Sequence, residues 1–274
     1  MKFDKFDREP LKSVLLVLIL GGLISVLPAG LFNTMFSELI NYQLPGSGGN
    51  RSIENSVLFF AFVGFNEEFF KAFATVFLIR RMKAFNEPAD ALVYAMTVAF
   101  GFSLFENIEY SLKYGFATFY IRQFNAVPLH VGLAAIWGIG IAKARFVQQG
   151  KYFQTIASYV LIAAFIHAVY NISTTLPIEP IFSLIILSIL AYYLIRFAIK
   201  TIKRYAEDGP FSNRLYCHHC NAENSPYAKR CKKCLKEFDL EFYTLCPACN
   251  AKVSVNSPNC PQCGTELMRE IPNS

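Results

Sequence analysis

Six long apolar segments fill most of the first 205 residues. A helix needs about 20 apolar residues to cross the hydrocarbon core of a bilayer. The segments are Leu11–Phe36, Val57–Ile79, Ala89–Tyr114, Gln123–Ile141, Phe153–Thr174 and Ile178–Phe197. They predict an all-α polytopic membrane protein with about six transmembrane helices. The first segment is too long for a typical cleaved signal peptide, and no clear small-residue cleavage site follows it.

The charged residues predict the orientation of these helices. Only 17% of the residues are charged, against about a quarter in soluble domains. The net charge of +6 comes largely from Lys and Arg beside the apolar segments, so it favours topology control over nucleic-acid binding. When the termini and connections are assigned alternately to the two sides of the membrane, the side that holds both termini has 14 Lys and Arg residues and the other side has 3. Because Lys and Arg collect on the cytoplasmic side, both termini are predicted to be cytoplasmic.

Several polar residues fall inside the apolar segments, where an ionisable group costs about 2.5–3.5 kcal/mol to insert. They are Glu67, Glu68, Lys71, Glu106, Asn107, His130, His167 and Asn171. On a helix, Lys71 reaches either Glu67 or Glu68 along one face. His167 and Asn171, four residues apart, also share a face. Glu106 and Asn107 are adjacent and point apart, so one of them is expected to face the site.

The buried charges favour a functional cavity over a packing role. A lone His or Asn inside the membrane can serve packing alone, by forming a hydrogen bond between helices. Packing does not explain the three carboxylates Glu67, Glu68 and Glu106, because Lys71 neutralises only one of them. A carboxylate and a histidine can activate water, while a second histidine with an asparagine donates to an oxyanion. The same side chains can hold a catalytic zinc ion. No His-Glu-x-x-His motif is present, so the sequence leaves acid–base and metal chemistry both open.

The order of these motifs resembles the PrsW intramembrane proteases, which are related to the CAAX prenyl endopeptidases and the CPBP proteins. The motifs are Glu67-Glu68-x-x-Lys71, Phe102-x-x-x-Glu106-Asn107, an isolated His130 and His167-x-x-x-Asn171. Lys71 and Glu106 stand where the wider group usually has arginine and histidine.

The resemblance implies an intramembrane endopeptidase that cleaves single-pass membrane proteins such as anti-sigma factors. It also implies that Glu67 or Glu68 acts with His130 on water, that His167 and Asn171 form an oxyanion hole, and that Glu106 orients the water, carries a proton or helps hold a metal.

All eight cysteines lie after residue 205, which divides the chain into a transmembrane domain over 1–205 and a cytoplasmic tail over 206–274. They form four Cys-x2-Cys pairs at zinc-ribbon spacing: Cys217, Cys220, Cys231, Cys234, Cys246, Cys249, Cys260 and Cys263. Disulfides are rare in the cytoplasm, so the tail is predicted to be a small β-rich double zinc ribbon with two structural zinc ions. Cys231 and Cys234 pair either with the first cysteines or with Cys246 and Cys249. His218 and His219 are not expected to be ligands.

The ribbons have no open coordination position, so they suit recognition or regulation rather than catalysis. A basic patch around the second knuckle could contact protein, anionic lipid or nucleic acid, or simply be solvated; it comprises Lys229, Arg230, Lys232, Lys233 and Lys236.

Two other functions are compatible with the buried polar residues and the zinc-binding tail. One is a proton-coupled transporter with a Glu/His relay, and the other is a non-catalytic membrane scaffold whose tail binds partners.

Overall fold

The computed structural model describes residues 9–42, 52–146, 151–174, 180–208, 215–224, 230–238, 243–248, 252–255, 257–260 and 263–267. It contains α1 (Leu11–Leu16), a π-helical turn (Val17–Gly21), α2 (Gly22–Leu39), α3 (Ile53–Ile79), α4 (Pro88–Tyr114), α5 (Phe116–Phe124), α6 (Ala126–Phe146), α7 (Tyr152–Ser173) and α8 (Pro180–Asp208). The predicted fold class, a helical membrane protein with a small strand region at its C-terminal end, is confirmed.

Within the described residues, five continuous helical stretches are long and apolar enough to cross a membrane. They are Leu11–Leu39, Pro88–Tyr114, Ala126–Phe146, Tyr152–Ser173 and Ile185–Ala206. The chain is therefore a multi-pass membrane protein. The remaining long helix, α3, has 27 residues and corresponds to the second predicted segment. Its composition differs from that of an ordinary span because Glu67, Glu68 and Lys71 lie in its middle.

The predicted fourth segment, Gln123–Ile141, has the wrong beginning. Gln123 belongs to the separate nine-residue helix α5, and the long helix α6 begins only at Ala126. Asn125 between them accepts a hydrogen bond from the amide of Ala126 through its own side chain. Such local bonding competes with helix continuation and ends the preceding helix.

Local sequence fixes the ends of the helices that carry the polar residues. Ser52 caps α3 by accepting from the amide of Asn55. Glu87 and Asp90 form a capping box at the start of α4, with Pro88 in the first turn. Gly115, with a φ of 90°, ends α4 in a conformation that favours glycine.

Two pairs of closely packed helices bring the polar residues together: α3 packs on α7, and α4 packs on α6. Gly64 makes the first approach possible, since a Cβ at this position would lie 2.8 Å from both the oxygen of Ala164 and the nitrogen of Ala168. Gly138 has the same effect in the second pair, where its added Cβ would lie 3.2 Å from the Cα of Leu92.

The backbone contacts divide the chain into two units, one over Glu9–Ile202 and one that begins at Lys203. The second unit contains β1 (Leu215–Tyr216), β2 (Glu223–Asn224), β3 (Tyr243–Leu245) and β4 (Lys252–Ser254). They form one sheet in the order β2-β1-β4-β3. Two antiparallel hairpins, β1–β2 and β3–β4, are joined by a parallel pairing of β1 with β4.

Candidate active site

Glu68, at the middle of α3, is held by donors from three helices. Its side chain is fully buried. Oε1 lies 2.6 Å from Lys71 Nζ and 2.9 Å from His167 Nδ1. Trp137 Nε1 donates to Oε2 over 2.9 Å. Because a carboxylate can only accept, His167 carries a proton on Nδ1. Both oxygens of Glu68 are therefore engaged by donors from α3, α6 and α7.

Lys71 extends this network towards α4. Its Nζ also lies 2.9 Å from His130 Nδ1. An ammonium group has only donors, so His130 accepts at Nδ1 and carries its ring proton on Nε2. That nitrogen lies 3.1 Å from Glu106 Oε2, and Arg122 Nη2 lies 2.6 Å from the same oxygen. A chain of contacts thus runs from Glu68 through Lys71, His130 and Glu106 to Arg122, in which the neutral ring of His130 links two ion pairs.

Glu67 is bonded quite differently from Glu68. Asn33 on α2 donates to its Oε1 over 3.2 Å. Its Oε2 is buried and has no hydrogen-bond partner among the described residues. His167 Nε2 lies 3.8 Å from this oxygen, which is beyond hydrogen-bonding distance. Since His167 is protonated at Nδ1, its Nε2 is an acceptor when the ring is neutral. Two acceptors therefore face one another, and a water molecule or a cation bound by both would satisfy them.

Glu67 and His167 line a cavity of about 550 Å³ at one end of the helix bundle. The C-terminal parts of α2, α4 and α7 and the N-terminal parts of α3 and α6 surround it. Its polar lining includes Asn33, Thr34, Ser37, Glu67, Glu106, Glu109, Lys113, Arg122, Asn125, His130, His167 and Asn171. The cavity is large enough to hold several water molecules beside these carboxylates and histidines.

The same residues fit a metal ion. Glu67, His130 and His167 each offer one ligand atom, and these atoms lie within 4.8 Å of one another. Two histidines and a glutamate are a common ligand set of catalytic zinc. Glu67 Oε2, the buried oxygen without a partner, is one of the available ligand atoms. The hydrogen bond from His167 to Glu68 is of the kind that orients a metal-binding histidine.

The structure brings the predicted site residues of the membrane domain together, but not in equivalent positions. Glu67, Glu106, His130, His167 and Asn171 line the cavity. Glu68 and Lys71 are fully buried behind it. Asn107 is also fully buried and accepts from Arg122 Nε over 2.6 Å.

Sequence reasoning missed Asn33, Arg122 and Trp137, each of which contacts one of the predicted acids. Arg122 is one of only three Lys and Arg residues on the side of the predicted topology that is remote from the cytoplasm, and this isolation is the signal in the sequence that could have singled it out.

The tail holds two clusters of cysteines. The sulfurs of Cys217, Cys220, Cys231 and Cys234 lie within 4.8 Å of one another, and those of Cys246, Cys260 and Cys263 form a second cluster. Cys249 lies outside the described residues. Cys231 and Cys234 therefore group with the first cysteine pair, which resolves the two pairings left open by the sequence.

The spacing within the clusters fits zinc rather than disulfides. Cys217 and Cys234 have their sulfurs 3.5 Å apart, and Cys220 and Cys231 have theirs 3.6 Å apart. A disulfide has about 2.05 Å, whereas zinc–sulfur bonds of about 2.3 Å give a tetrahedral edge of about 3.8 Å. Outside the clusters, His218 Nδ1 contacts the hydroxyl of Tyr243. In the predicted basic patch, Arg230 is paired with Glu237, and Lys229 lies outside the described residues.

Two family models together match most of the chain. The family model described as PrsW family intramembrane metalloprotease matches residues 9–199, and the double zinc ribbon model matches residues 217–264. Protease PrsW of Geobacillus kaustophilus is 32% identical over 168 residues, which cover 61% of this chain and 69% of the relative. Protease PrsW of Bacillus subtilis is 26% identical over 196 residues, which cover 72% and 80%. No solved structure matches significantly.

These matches favour proteolysis over the two alternatives, a transporter and a non-catalytic scaffold. The PrsW match covers the helices that carry every predicted acid and histidine of the cavity. The predicted resemblance, enzyme class and zinc-ribbon tail are confirmed. The chain belongs to the PrsW family of intramembrane metalloproteases and carries a C-terminal double zinc ribbon.

Proposed function

We propose that Glu67 and His167 hold the water that cleaves a peptide bond of a membrane-protein substrate. The observation that carries this proposal is the pair of acceptors, Glu67 Oε2 and His167 Nε2, 3.8 Å apart at the cavity wall. Glu67 takes the proton from the water as general base. Glu68, which is next to it in the sequence, already has both oxygens bonded and serves to orient His167.

Asn171 is assigned to stabilise the negative charge that develops on the carbonyl oxygen. It lies one helical turn after His167 and lines the same cavity. Its side-chain amide can donate to an oxyanion, and the low-dielectric surroundings strengthen that bond. The resemblance implied that His167 shares this role, whereas the proposal places His167 at the water. His130 donates from Nε2 to Glu106 and borders the reaction space.

Glu67, His130 and His167 are the residues that would hold a catalytic zinc ion. When bound, such an ion polarises the scissile carbonyl and lowers the pKa of water. Glu67 and His167 retain their role of positioning the attacking oxygen. In that state Glu68 would hold Nδ1 of His167, while His130 would coordinate through Nε2 and carry its ring proton on Nδ1, in place of the contact between Nε2 and Glu106.

The substrate is proposed to be a single-pass membrane protein of the anti-sigma-factor kind. We infer that both termini of the protease lie in the cytoplasm, because 14 of the Lys and Arg residues that flank the helices lie on one side and 3 on the other. This orientation directs the cavity away from the cytoplasm, because the cavity lies between the helix ends that the charge rule puts on the other side. Cleavage then occurs in the half of the bilayer remote from the cytoplasm.

The eight cysteines are proposed to hold two structural zinc ions, one in each ribbon. The ribbons are proposed to bind a protein partner, because their shells of four cysteines leave no position for a reacting ligand. Anionic lipid and nucleic acid are the competing partners of the basic patch. Pull-down with the full chain, vesicle flotation and nucleic-acid retardation would separate these three.

Glu67→Gln tests the catalytic proposal. Glutamine keeps the size and the acceptor towards Asn33 but cannot take a proton, so we expect cleavage to fall at least about a thousandfold with folding unchanged. Mass spectrometry of membrane-protein termini, from cells that express the wild type or the variant, identifies the substrate. Cleavage of that substrate is then measured in reconstituted vesicles.

Glu109→Gln is the matched control, since Glu109 is an exposed carboxylate at the rim of the same cavity. Wild-type cleavage is expected for this variant. Full activity of Glu67→Gln would refute the assignment of the base.

A further inference from the structure

Arg122 belongs to α5, yet its guanidinium is held by residues of α4. Nη2 lies 2.6 Å from Glu106 Oε2, and Nε donates to Asn107 Oδ1 over 2.6 Å. The guanidinium also lies over the ring of Tyr110, 3.9 Å from its centre. Three contacts along one face of α4, to Glu106, Asn107 and Tyr110, hold the guanidinium in a single orientation, which a lysine could not reproduce.

The ion pair between Arg122 and Glu106 lies largely out of solvent, with side-chain exposures of 16% and 13%. A charge-assisted bond in such surroundings is stronger than one at a surface. The pair keeps Glu106 as a charged acceptor with a fixed oxygen, Oε2. That same oxygen accepts from His130 Nε2 over 3.1 Å.

His130 is therefore held between two fixed charges. Lys71 donates to Nδ1 on one side, and Glu106 accepts from Nε2 on the other. Lys71 is itself fixed by Glu68, whereas Glu106 is fixed by Arg122. Loss of Arg122 would leave Glu106 without its counterion, and its oxygen would be free to turn away from His130.

We propose that Arg122 is a positioning residue that acts through Glu106 to set the orientation of the His130 ring. This inference rests on the proposed function, because it matters for cleavage only if His130 borders the reacting water. Arg122 itself does not contact the substrate in this proposal. Its loss should therefore lower the rate of the chemical step and leave substrate binding unchanged.

The test is steady-state cleavage of the identified single-pass substrate by Arg122→Ala in reconstituted vesicles. We expect kcat to fall about tenfold or more, and KM to stay within about twofold. Millimolar guanidinium should restore part of the lost kcat, because it can occupy the space between Glu106 and Asn107. Sodium chloride at the same ionic strength should not restore it.

Arg196→Ala is the matched control. Arg196 also lies over a tyrosine ring, that of Tyr192, but it is exposed on α8 and outside the cavity. Equal losses in both variants, a rise in KM at unchanged kcat, or no rescue by guanidinium would each overturn the inference. None of these outcomes would contradict the assignment of Glu67 as the general base. Full activity of Glu67→Gln, in contrast, would refute the proposed function itself.

If Arg122→Ala fails to fold, the same measurement is made on Arg122→Lys. Lysine keeps the positive charge but cannot contact Glu106 and Asn107 together. A lowered kcat at constant KM supports the inference. A wild-type kcat in this variant overturns it.

Discussion

Glu67 and Glu68 are adjacent in the sequence and both lie beside His167, but their other contacts differ. Glu67 lines the cavity and has one oxygen without a partner among the described residues. Glu68 is fully buried and bonded to Lys71, Trp137 and His167. A carboxylate that receives three donors at membrane depth contributes to stability as well as to orientation.

Glu68→Gln should therefore destabilise the protein, unlike Glu67→Gln. The substitution leaves the ammonium of Lys71 buried without its counterion, at a cost of about 3–5 kcal/mol. We expect a clearly lower unfolding temperature in detergent, measured by the fluorescence of Trp137, the only tryptophan of the chain. The double variant Glu68→Gln/Lys71→Met removes both charges and should recover part of the loss. An unchanged unfolding temperature in Glu68→Gln would contradict this expectation.

Helix spacing was sufficient to predict some of these contacts and not others. Lys71 was expected to reach a carboxylate three or four residues away, and it bonds to Glu68. Spacing within one helix could not distinguish Glu67 from Glu68, because the distinction depends on Trp137 and Asn33 from other helices. Contacts between helices follow from the packing of the bundle, for which a single sequence has no periodic signal.

At the scale of the elements, the apolar runs predicted most helices to within a few residues. The exception is α5, whose aromatic residues adjoin the next apolar run in the sequence. Its exposed Phe116, Tyr120 and Phe124 are typical of a short helix at the membrane surface. Apolar content alone could not separate it from α6, because the separation depends on the local bond made by Asn125.

Gly64→Ala tests the packing of α3 on α7. The added methyl group would lie 2.8 Å from backbone atoms of α7, so the helices must separate. We expect a loss of about 3 kcal/mol in stability and weaker cleavage, because His167 would move away from Glu67. The measurements are the unfolding temperature in detergent and the cleavage rate in vesicles.

Gly30→Ala is the control, since a Cβ at that position has no atom within 4 Å in the described structure. Alanine also favours helix over glycine, so its unfolding temperature should not fall. Similar behaviour of the two variants would mean that the close approach at Gly64 is unimportant.

For the whole molecule, zinc content separates the two kinds of proposed site. We expect about three zinc ions per chain in the wild type: two in the tail and one at Glu67, His130 and His167. His167→Ala should lose one of them, because it removes a ligand of the cavity only. Cys217→Ser should also lose zinc, but from the tail, and should retain the ion held in the cavity by Glu67, His130 and His167. Elemental analysis of the purified full-length protein gives these values.

Glu109→Gln is again the control and should retain the wild-type zinc content. Unchanged zinc in His167→Ala would exclude His167 as a ligand and leave Glu67 to act on water without it.

The sheet of the tail joins its two ribbons through one parallel pairing, Leu215 with Lys252. Zinc ribbons of this size fold only when they bind their metal. An ion that orders one hairpin therefore also orders the strand with which the other hairpin pairs. The two ions should then bind cooperatively. Occupancy would change over a narrower range of free zinc than in two independent ribbons. The tail would thus respond to zinc availability as a threshold, switching between an empty and a fully loaded state.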